Sequence, residues 1–144
     1  GVDLAKLDTV LAAVKAANDG IEIWIEPGRY YVASAGALLA RVTQLKTKNG
    51  VRYVGIATGM NSLIRPALYG AYHEIVNLSR LEEPCTELVN IVGPICESAD
   101  ILGHDRLLPP TAEGDVLLIA NAGAYGHAMS SRYNLREPAA EICI

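Results

Sequence analysis

Apolar residues recur at helical spacing near the start of the chain, before the pattern becomes strand-like. They are Leu4, Leu7, Val10, Leu11 and Val14. This periodicity predicts one amphipathic helix over Asp3–Asn18, ended by Asp19-Gly20. The next apolar run, Ile21–Ile25, lies between Gly20 and Pro27 and predicts a short buried strand. A helix followed by a buried strand is typical of an α/β unit.

Beyond Gly28 the pattern favours β structure. Two β-branched runs, Leu38–Leu45 and Val51–Ile56, are joined by a segment ending in Asn49-Gly50, a pair that favours a hairpin. Met60–Ala71 predicts a short helix or turn, broken at Pro66. Further strands are predicted near Tyr72–Ser79, Glu87–Val92, Asp115–Ala120 and Ala139–Ile144. The pattern therefore predicts a mainly β fold after one α/β unit, with a boundary near Arg29.

Composition narrows the class of protein. The chain has 144 residues, of which 51% are hydrophobic, and a net charge of -4, which indicates one compact core and argues against nucleic acid or an anionic membrane as partner. No apolar run is long enough to span a bilayer and no secretory leader is seen, so we expect a cytoplasmic protein. The three cysteines and three histidines are dispersed, which predicts no metal site.

Charged residues within glycine- and proline-rich turns are candidate binding groups. In Glu26-Pro27-Gly28-Arg29, Gly28 would let the backbone approach a ligand and Arg29 could bind an anion through two hydrogen bonds. The alternative is an ordinary arginine in a salt bridge at a strand end.

A second candidate pair is Arg65 and Tyr69, four residues apart. On a helix they would share one face and could hold one carboxylate, although a solvated arginine beside a packed tyrosine would show the same spacing. Tyr125 stands among small residues in Asn121–Gly126, where it is either a ligand contact or simply part of a turn.

Cys96 and Glu97 follow the Gly93-Pro94 turn at the end of an apolar run. An adjacent carboxylate disfavours the thiolate, so Cys96 suits a proton donor better than a nucleophile. The alternative is a cysteine buried as a small hydrophobe beside a solvated glutamate.

Four segments together resemble the C-terminal part of diaminopimelate decarboxylases. They are EPGRYYVASAGALL, GMNSLIRPALYGAYHEI, VGPICESADILGHDR and GDVLLIANAGAYGHAMSSRYN. The resemblance implies a pyridoxal 5'-phosphate-dependent lyase that converts meso-diaminopimelate to L-lysine and CO2. It also implies a C-terminal β-sandwich or Greek-key-like domain over residues 30–144, and a remnant of the last helix and strand of an α/β barrel over residues 1–29.

The resemblance also implies roles for individual residues. Arg65 and Tyr69 would hold the distal carboxylate of the substrate, and Glu97 its distal amino group. Cys96 would donate the proton, from a loop contributed across the interface of a homodimer. The cofactor-binding residues would be Glu26, Pro27, Gly28, Arg29 and Tyr125, of which Arg29 and Tyr125 would also reach the substrate.

The chain departs from the family pattern before Met60. It reads GIATG, and then Ser62, where many members carry aspartates, a variant similar to the decarboxylase half of bifunctional proteins with an aspartate kinase. The Schiff-base lysine of the family has no counterpart here, so we expect the chain alone to be inactive. The alternatives are a related decarboxylase of basic amino acids or carboxynorspermidine, and a non-catalytic dimerisation module.

Overall fold

The first helix forms where the apolar spacing predicts it. The structure, a computed structural model, describes residues 2–144; Gly1, the first residue of the predicted remnant unit, lies outside them. Helix α1 spans Leu4–Ala17, and Asp3 caps it by accepting the Lys6 amide at 3.0 Å. It buries none of its residues. Within residues 2–144 no helix combines the length and the apolar character needed to cross a membrane.

The rest of the chain is built on six strands. Two short helices are α2 (Gly28–Val32) and α3 (Arg65–Tyr69). The strands are β1 (Leu38–Lys48), β2 (Val51–Ile56), β3 (Ile75–Asn77), β4 (Glu87–Val92), β5 (Ile101–Leu108) and β6 (Val116–Ile119). Single 3₁₀ turns occupy Ala33–Ala35, Leu78–Arg80, His127–Met129 and Tyr133–Leu135.

The strands form one sheet in the order β3-β6-β1-β2-β4-β5. Only β2 and β4 pair in parallel; the other neighbours are antiparallel. Asn49 and Gly50 adopt φ values of 52° and 78°, as a tight β1–β2 hairpin turn requires. The edge strands β3 and β5 approach each other, so the sheet is a nearly closed barrel, and the mainly β prediction is confirmed.

The core lies inside this curved sheet. Alternate residues of each strand face inward, and the most completely buried apolar side chains come from several strands and from the turn before α3. They include Val42, Val54, Ile56, Leu63, Val89, Ile91, Leu102, Leu117 and Ile119. This rigid core supports α3 and the loops at one end of the sheet.

Two predicted strands are absent. Ile21–Ile25 forms no strand and Trp24 is 86% exposed, because no neighbouring strand in residues 2–144 offers it hydrogen bonds. Ala139–Ile144 is also irregular, and only its first amide is held, by Ser62 Oγ at 2.8 Å. An apolar run becomes a strand only where a partner strand completes its hydrogen bonds.

One strand escaped prediction, and one proline acts differently from expectation. Strand β5 was missed because it contains Gly103 and Asp105, residue types that are common in turns. Asp105 has φ 48° and lies at an irregularity in the β4–β5 pairing. There Asn90 Oδ1 accepts the Asp105 amide at 2.8 Å. Pro66 occupies the first turn of α3, where its missing N–H costs nothing, so it starts the helix and does not break it.

Candidate functional site

Helix α3 buries Arg65 at one end of the sheet. Pro66 begins the helix, and Gly70 ends it with φ 61° and an amide bonded to the Pro66 carbonyl at 2.9 Å. Arg65 is only 7% exposed, and its Cζ lies 5.6 Å from the ring centroid of Tyr69. The predicted side-by-side placement of Arg65 and Tyr69 on one helix face is therefore present.

The loop that carries Tyr125 is bonded to the segment that follows α2. The Ala122 amide donates to the Gly36 carbonyl at 2.8 Å and the Gly123 amide to the Ala33 carbonyl at 3.1 Å. A Cβ added to Gly123 would overlap the Val32 carbonyl oxygen and lie 2.7 Å from the Gly36 nitrogen. Only glycine permits this close approach, so α2 and the Tyr125 loop are fixed relative to one another.

Two guanidinium groups converge on Tyr125. The Cζ atoms of Arg29 and Arg65 lie 5.2 Å and 5.8 Å from its ring centroid, within the range of cation–π attraction. Beside them is a pocket of about 240 Å³, lined by Arg29, Ala33, Arg65, Tyr72, His73, Asn121 and Ala124. The structure therefore brings the predicted residues Arg29, Arg65, Tyr69 and Tyr125 together.

The positive charge of this pocket lacks a counterion within residues 2–144. No ion pair joins Arg29 or Arg65 to a carboxylate there. A buried charge is costly unless it is paired, and aromatic faces offset only part of the cost. The pocket therefore suits an anion of the size of a carboxylate or phosphate group.

His73 is a pocket residue that the sequence reasoning missed. It is 3% exposed, and its Nδ1 lies 2.9 Å from the Ala120 carbonyl, while Nε2 is buried without a hydrogen-bond partner. Burial lowers the pKa of His73, and the charges of Arg65, Arg106 and Arg29 lower it further, against the bond to Ala120. The imidazole is therefore neutral, with Nδ1–H as the donor. Because α3 ends at Gly70, the spacing of His73 from Tyr69 gave no signal for its place in the pocket.

A third guanidinium borders the pocket. Arg106 of β5 places its Cζ 3.9 Å from the ring centroid of Tyr72. The Tyr72 hydroxyl donates to Glu74 at 2.6 Å, and this bond raises the pKa of Tyr72. Sequence spacing gave no sign of this contact, because it joins strand β5 to the segment before β3.

Cys96 and Glu97 do not line this pocket. They lie on the turn between β4 and β5, and both are exposed. The Tyr133 hydroxyl donates to Glu97 Oε2 at 3.1 Å, and this bond raises the pKa of Tyr133. Cys96 is therefore not the buried small hydrophobe of the alternative interpretation.

Glu26 is exposed, and Pro27 precedes α2 with its carbonyl accepting the Tyr30 amide at 2.9 Å.

The unusual turn before α3 has a structural role. Thr58 and Ser62 join through their hydroxyl groups, and Ser62 Oγ also accepts the Ala139 amide at 2.8 Å. Asn61 Nδ2 donates to the Glu137 carbonyl at 3.1 Å. The Ser62 hydroxyl, at a position where the resemblance implies an aspartate, and the Asn61 amide therefore both bind the C-terminal segment.

Residues 16–123 match the family model described as pyridoxal-dependent decarboxylase, C-terminal sheet domain. Among curated relatives, the diaminopimelate decarboxylase of Archaeoglobus fulgidus is 42% identical over 123 residues, which are 85% of this chain and 29% of the relative. That of Aquifex aeolicus is 43% identical over 143 residues, 99% of this chain and 33% of the relative. The chain thus spans about a third of the length of these relatives.

Solved structures agree in fold. The crystal structure of diaminopimelate decarboxylase from M. jannaschii in co-complex with L-lysine superimposes with a TM-score of 0.81 at 41% identity, covering 91% of this chain and 30% of that one. The crystal structure of SrLDC in complex with PLP and cadaverine gives a TM-score of 0.81 at 23% identity, over 96% of this chain and 36% of that one. The second likeness concerns the fold alone.

Proposed function

This chain belongs to the C-terminal sheet domain family of pyridoxal-dependent decarboxylases, and from that premise we propose that it is part of an enzyme that converts meso-diaminopimelate to L-lysine and CO2. In this proposal, residues 1–29 are a remnant of the α/β barrel and residues 30–144 are the β domain. The observation that carries the proposal is the buried, unpaired guanidinium of Arg65 next to Arg29.

Arg65 and Tyr69 are suited to bind the distal carboxylate of the substrate. Both groups are hydrogen-bond donors, and they lie on adjacent turns of α3 with the Arg65 Cζ 5.6 Å from the Tyr69 ring. A substrate without the distal carboxylate would leave the buried Arg65 unpaired, which is how such a site rejects it. This argument favours diaminopimelate as the substrate over basic amino acids or carboxynorspermidine, which are the substrates of related decarboxylases.

The residues at α2 fit the phosphate of pyridoxal 5'-phosphate. An added Cβ at Gly28 would meet nothing within 4 Å, so the backbone there is open to a ligand, and Arg29 supplies a cation beside it. Glu26, Pro27, Gly28 and Arg29 would hold the phosphate, and Tyr125 would contact cofactor and substrate. When bound, the cofactor supplies the electron sink for decarboxylation.

Cys96 and Glu97 complete the proposal only if the domain works as a homodimer. They lie on a turn separate from the two-arginine pocket, so we place them in the active site of a partner copy. There Glu97 would bind the distal ammonium group and Cys96 would return a proton to Cα after CO2 leaves. The exposure of both residues in one copy supports this arrangement.

Rescue of a lysine auxotroph by the complete coding sequence that contains this chain tests the function. We expect Arg65→Met to abolish rescue and to lower kcat/KM for meso-diaminopimelate by about 100-fold or more, because it removes charged hydrogen bonds to the substrate. Arg41→Met is the matched control, since Arg41 is exposed on β1 and donates only to the Gly114 carbonyl, at 3.1 Å. Undiminished rescue by Arg65→Met would refute the proposed carboxylate grip.

The 144-residue chain alone provides a second test. Mixed with pyridoxal phosphate and borohydride, it should show no preferred site of pyridoxyl labelling among the exposed Lys6, Lys15, Lys46 and Lys48, as expected if the anchoring lysine lies elsewhere. A specific adduct on one of them would contradict this, and would favour a different cofactor site.

A non-catalytic dimerisation module is the second candidate function, favoured only if the complete protein fails to decarboxylate meso-diaminopimelate. Cytoplasmic location and fusion to an aspartate kinase remain predictions from the sequence.

A further inference from the structure

The turn that carries Cys96 and Glu97 is closed around a buried aspartate. The Gly93 amide donates to the Asp100 carbonyl at 2.9 Å, and the Asp100 amide donates to the Glu97 carbonyl at 3.1 Å. Asp100 itself is only 3% exposed. Its side chain therefore lies beneath the turn, while Cys96 and Glu97 face outward.

The Asp100 carboxylate accepts one backbone amide on each oxygen. Oδ2 accepts the Ile95 amide at 2.7 Å and Oδ1 accepts the Met60 amide at 2.6 Å. A Cβ added to Gly59 or Gly93 would overlap this carboxylate. Gly59 and Gly93 thus leave room for the carboxylate. Because it binds Ile95 of the Cys96 turn and Met60 of the turn before α3, Asp100 joins these two turns.

The same turn before α3 also anchors the segment that reaches Glu97. The Ser131 amide donates to the Asn61 carbonyl at 2.9 Å, and the Asn61 side chain holds the Glu137 carbonyl. Between these anchors, the Tyr133 hydroxyl donates to Glu97 at 3.1 Å. Asp100 therefore links the two turns on either side of it. Cys96 follows Ile95, whose amide Asp100 binds, and Glu97 is held by Tyr133 of the segment that the turn before α3 anchors.

We propose that Asp100 is the positioning residue of the Cys96–Glu97 turn: through Ile95 it fixes Cys96, and through Met60 it aligns the turn with the segment that brings Tyr133 to Glu97. The catalytic meaning of this role rests on the proposed function, whereas the ordering of the turn does not. A carboxylate is required because both partners are N–H donors. An asparagine would turn its own NH2 group toward one of them.

Hydrogen exchange of Asp100→Asn tests the positioning role, with Asp115→Asn as the matched control. Asp115 is another buried carboxylate, bound by Arg80 at 2.6 Å and by the Ala112 amide at 2.9 Å. We expect Asp100→Asn to speed exchange of the Ile95 amide at least about ten-fold more than that of core strand amides. Asp115→Asn should change the Ile95 amide only in step with the core. Equal behaviour of the two variants would overturn the proposal.

A measurement on the unmodified chain covers the case in which Asp100→Asn does not fold. The amide protons of Ile95 and Met60 should shift together with pH, with a single midpoint above that of an ordinary aspartate, because burial raises the pKa of Asp100. The amides of Cys96 and Glu97 should follow with the same midpoint. Independent titration, or no response at Cys96, would show that Asp100 does not order the turn.

Kinetics in the complete enzyme separate this proposal from the proposed function. If Cys96 donates the proton, Asp100→Asn should lower kcat about ten-fold or more with little change in KM. Asp115→Asn should leave both kcat and KM unchanged. Faster Ile95 exchange without decarboxylase activity in the parent would refute the proposed function and keep the positioning role. Unchanged exchange of the Ile95 amide in Asp100→Asn, in a parent that decarboxylates meso-diaminopimelate, would refute the positioning role and keep the proposed function.

Discussion

Gly123→Ala should separate the Tyr125 loop from α2. The new methyl group would overlap the Val32 carbonyl oxygen and lie 2.7 Å from the Gly36 nitrogen and 3.2 Å from the Ala33 oxygen. All three are backbone atoms, so no flexible side chain can yield. Overpacking of this kind costs about 1–3 kcal/mol, and loosening the amide bonds of Ala122 and Gly123 adds about 1 kcal/mol each.

The expected total is about 3–5 kcal/mol, or roughly 10–15 °C in Tm for a domain of this size. Urea titration followed by circular dichroism measures the loss directly. Gly28→Ala is the matched control, because a Cβ there meets nothing within 4 Å and a helical alanine is favoured over glycine. If Gly123→Ala unfolds within about 0.5 kcal/mol of the parent chain, the close approach is not rigid, and our account of how Tyr125 is placed is wrong.

Other predictions concern charged and polar groups away from that contact. His73 has a lowered pKa, so the unfolded chain binds the proton first and stability should fall as pH drops below the ordinary value of 6.5; His73→Gln should flatten this dependence in melts recorded against pH. Burial raises the pKa of Asp115, but bonds led by Arg80 outweigh it and the net pKa is lowered. The ionised Asp115 should therefore stabilise the fold above pH 3.8, and this stabilisation should be lost as pH falls through the folded pKa. It should be smaller in Arg80→Ala, where only the Asn77 and Ala112 bonds remain. Asn61→Ala should free the C-terminal segment, seen as faster proteolysis after residue 130 with little change in the melting of the sheet.

Local patterns predicted local features well. Helical spacing located α1, Asn49-Gly50 located the hairpin, and the four-residue interval placed Arg65 beside Tyr69. These features depend on backbone geometry over a few residues, which the sequence shows directly.

Features that depend on distant partners were not predictable in this way. Ile21–Ile25 looks like a strand but has no strand to pair with in residues 2–144. The state of His73 depends on the Ala120 carbonyl and on the charges of Arg29 and Arg106, all distant from it in sequence. Asp100 looks like the solvated end of a turn, and only the fold shows that two glycines leave room to bury it.

The parallel pairing of β2 with β4 has a consequence for folding. Residues 57–86 connect the two strands, and on the way they supply α3 and then β3, which lies at the opposite edge of the sheet beside β6. Neither edge can be completed until this crossover is in place, and parallel pairs joined by long crossovers form slowly because distant residues must meet. Three of the pocket residues, Arg65, Tyr72 and His73, belong to that crossover. We therefore expect the sheet and the pocket to form in one cooperative step, so that no folded barrel exists without an ordered Arg65.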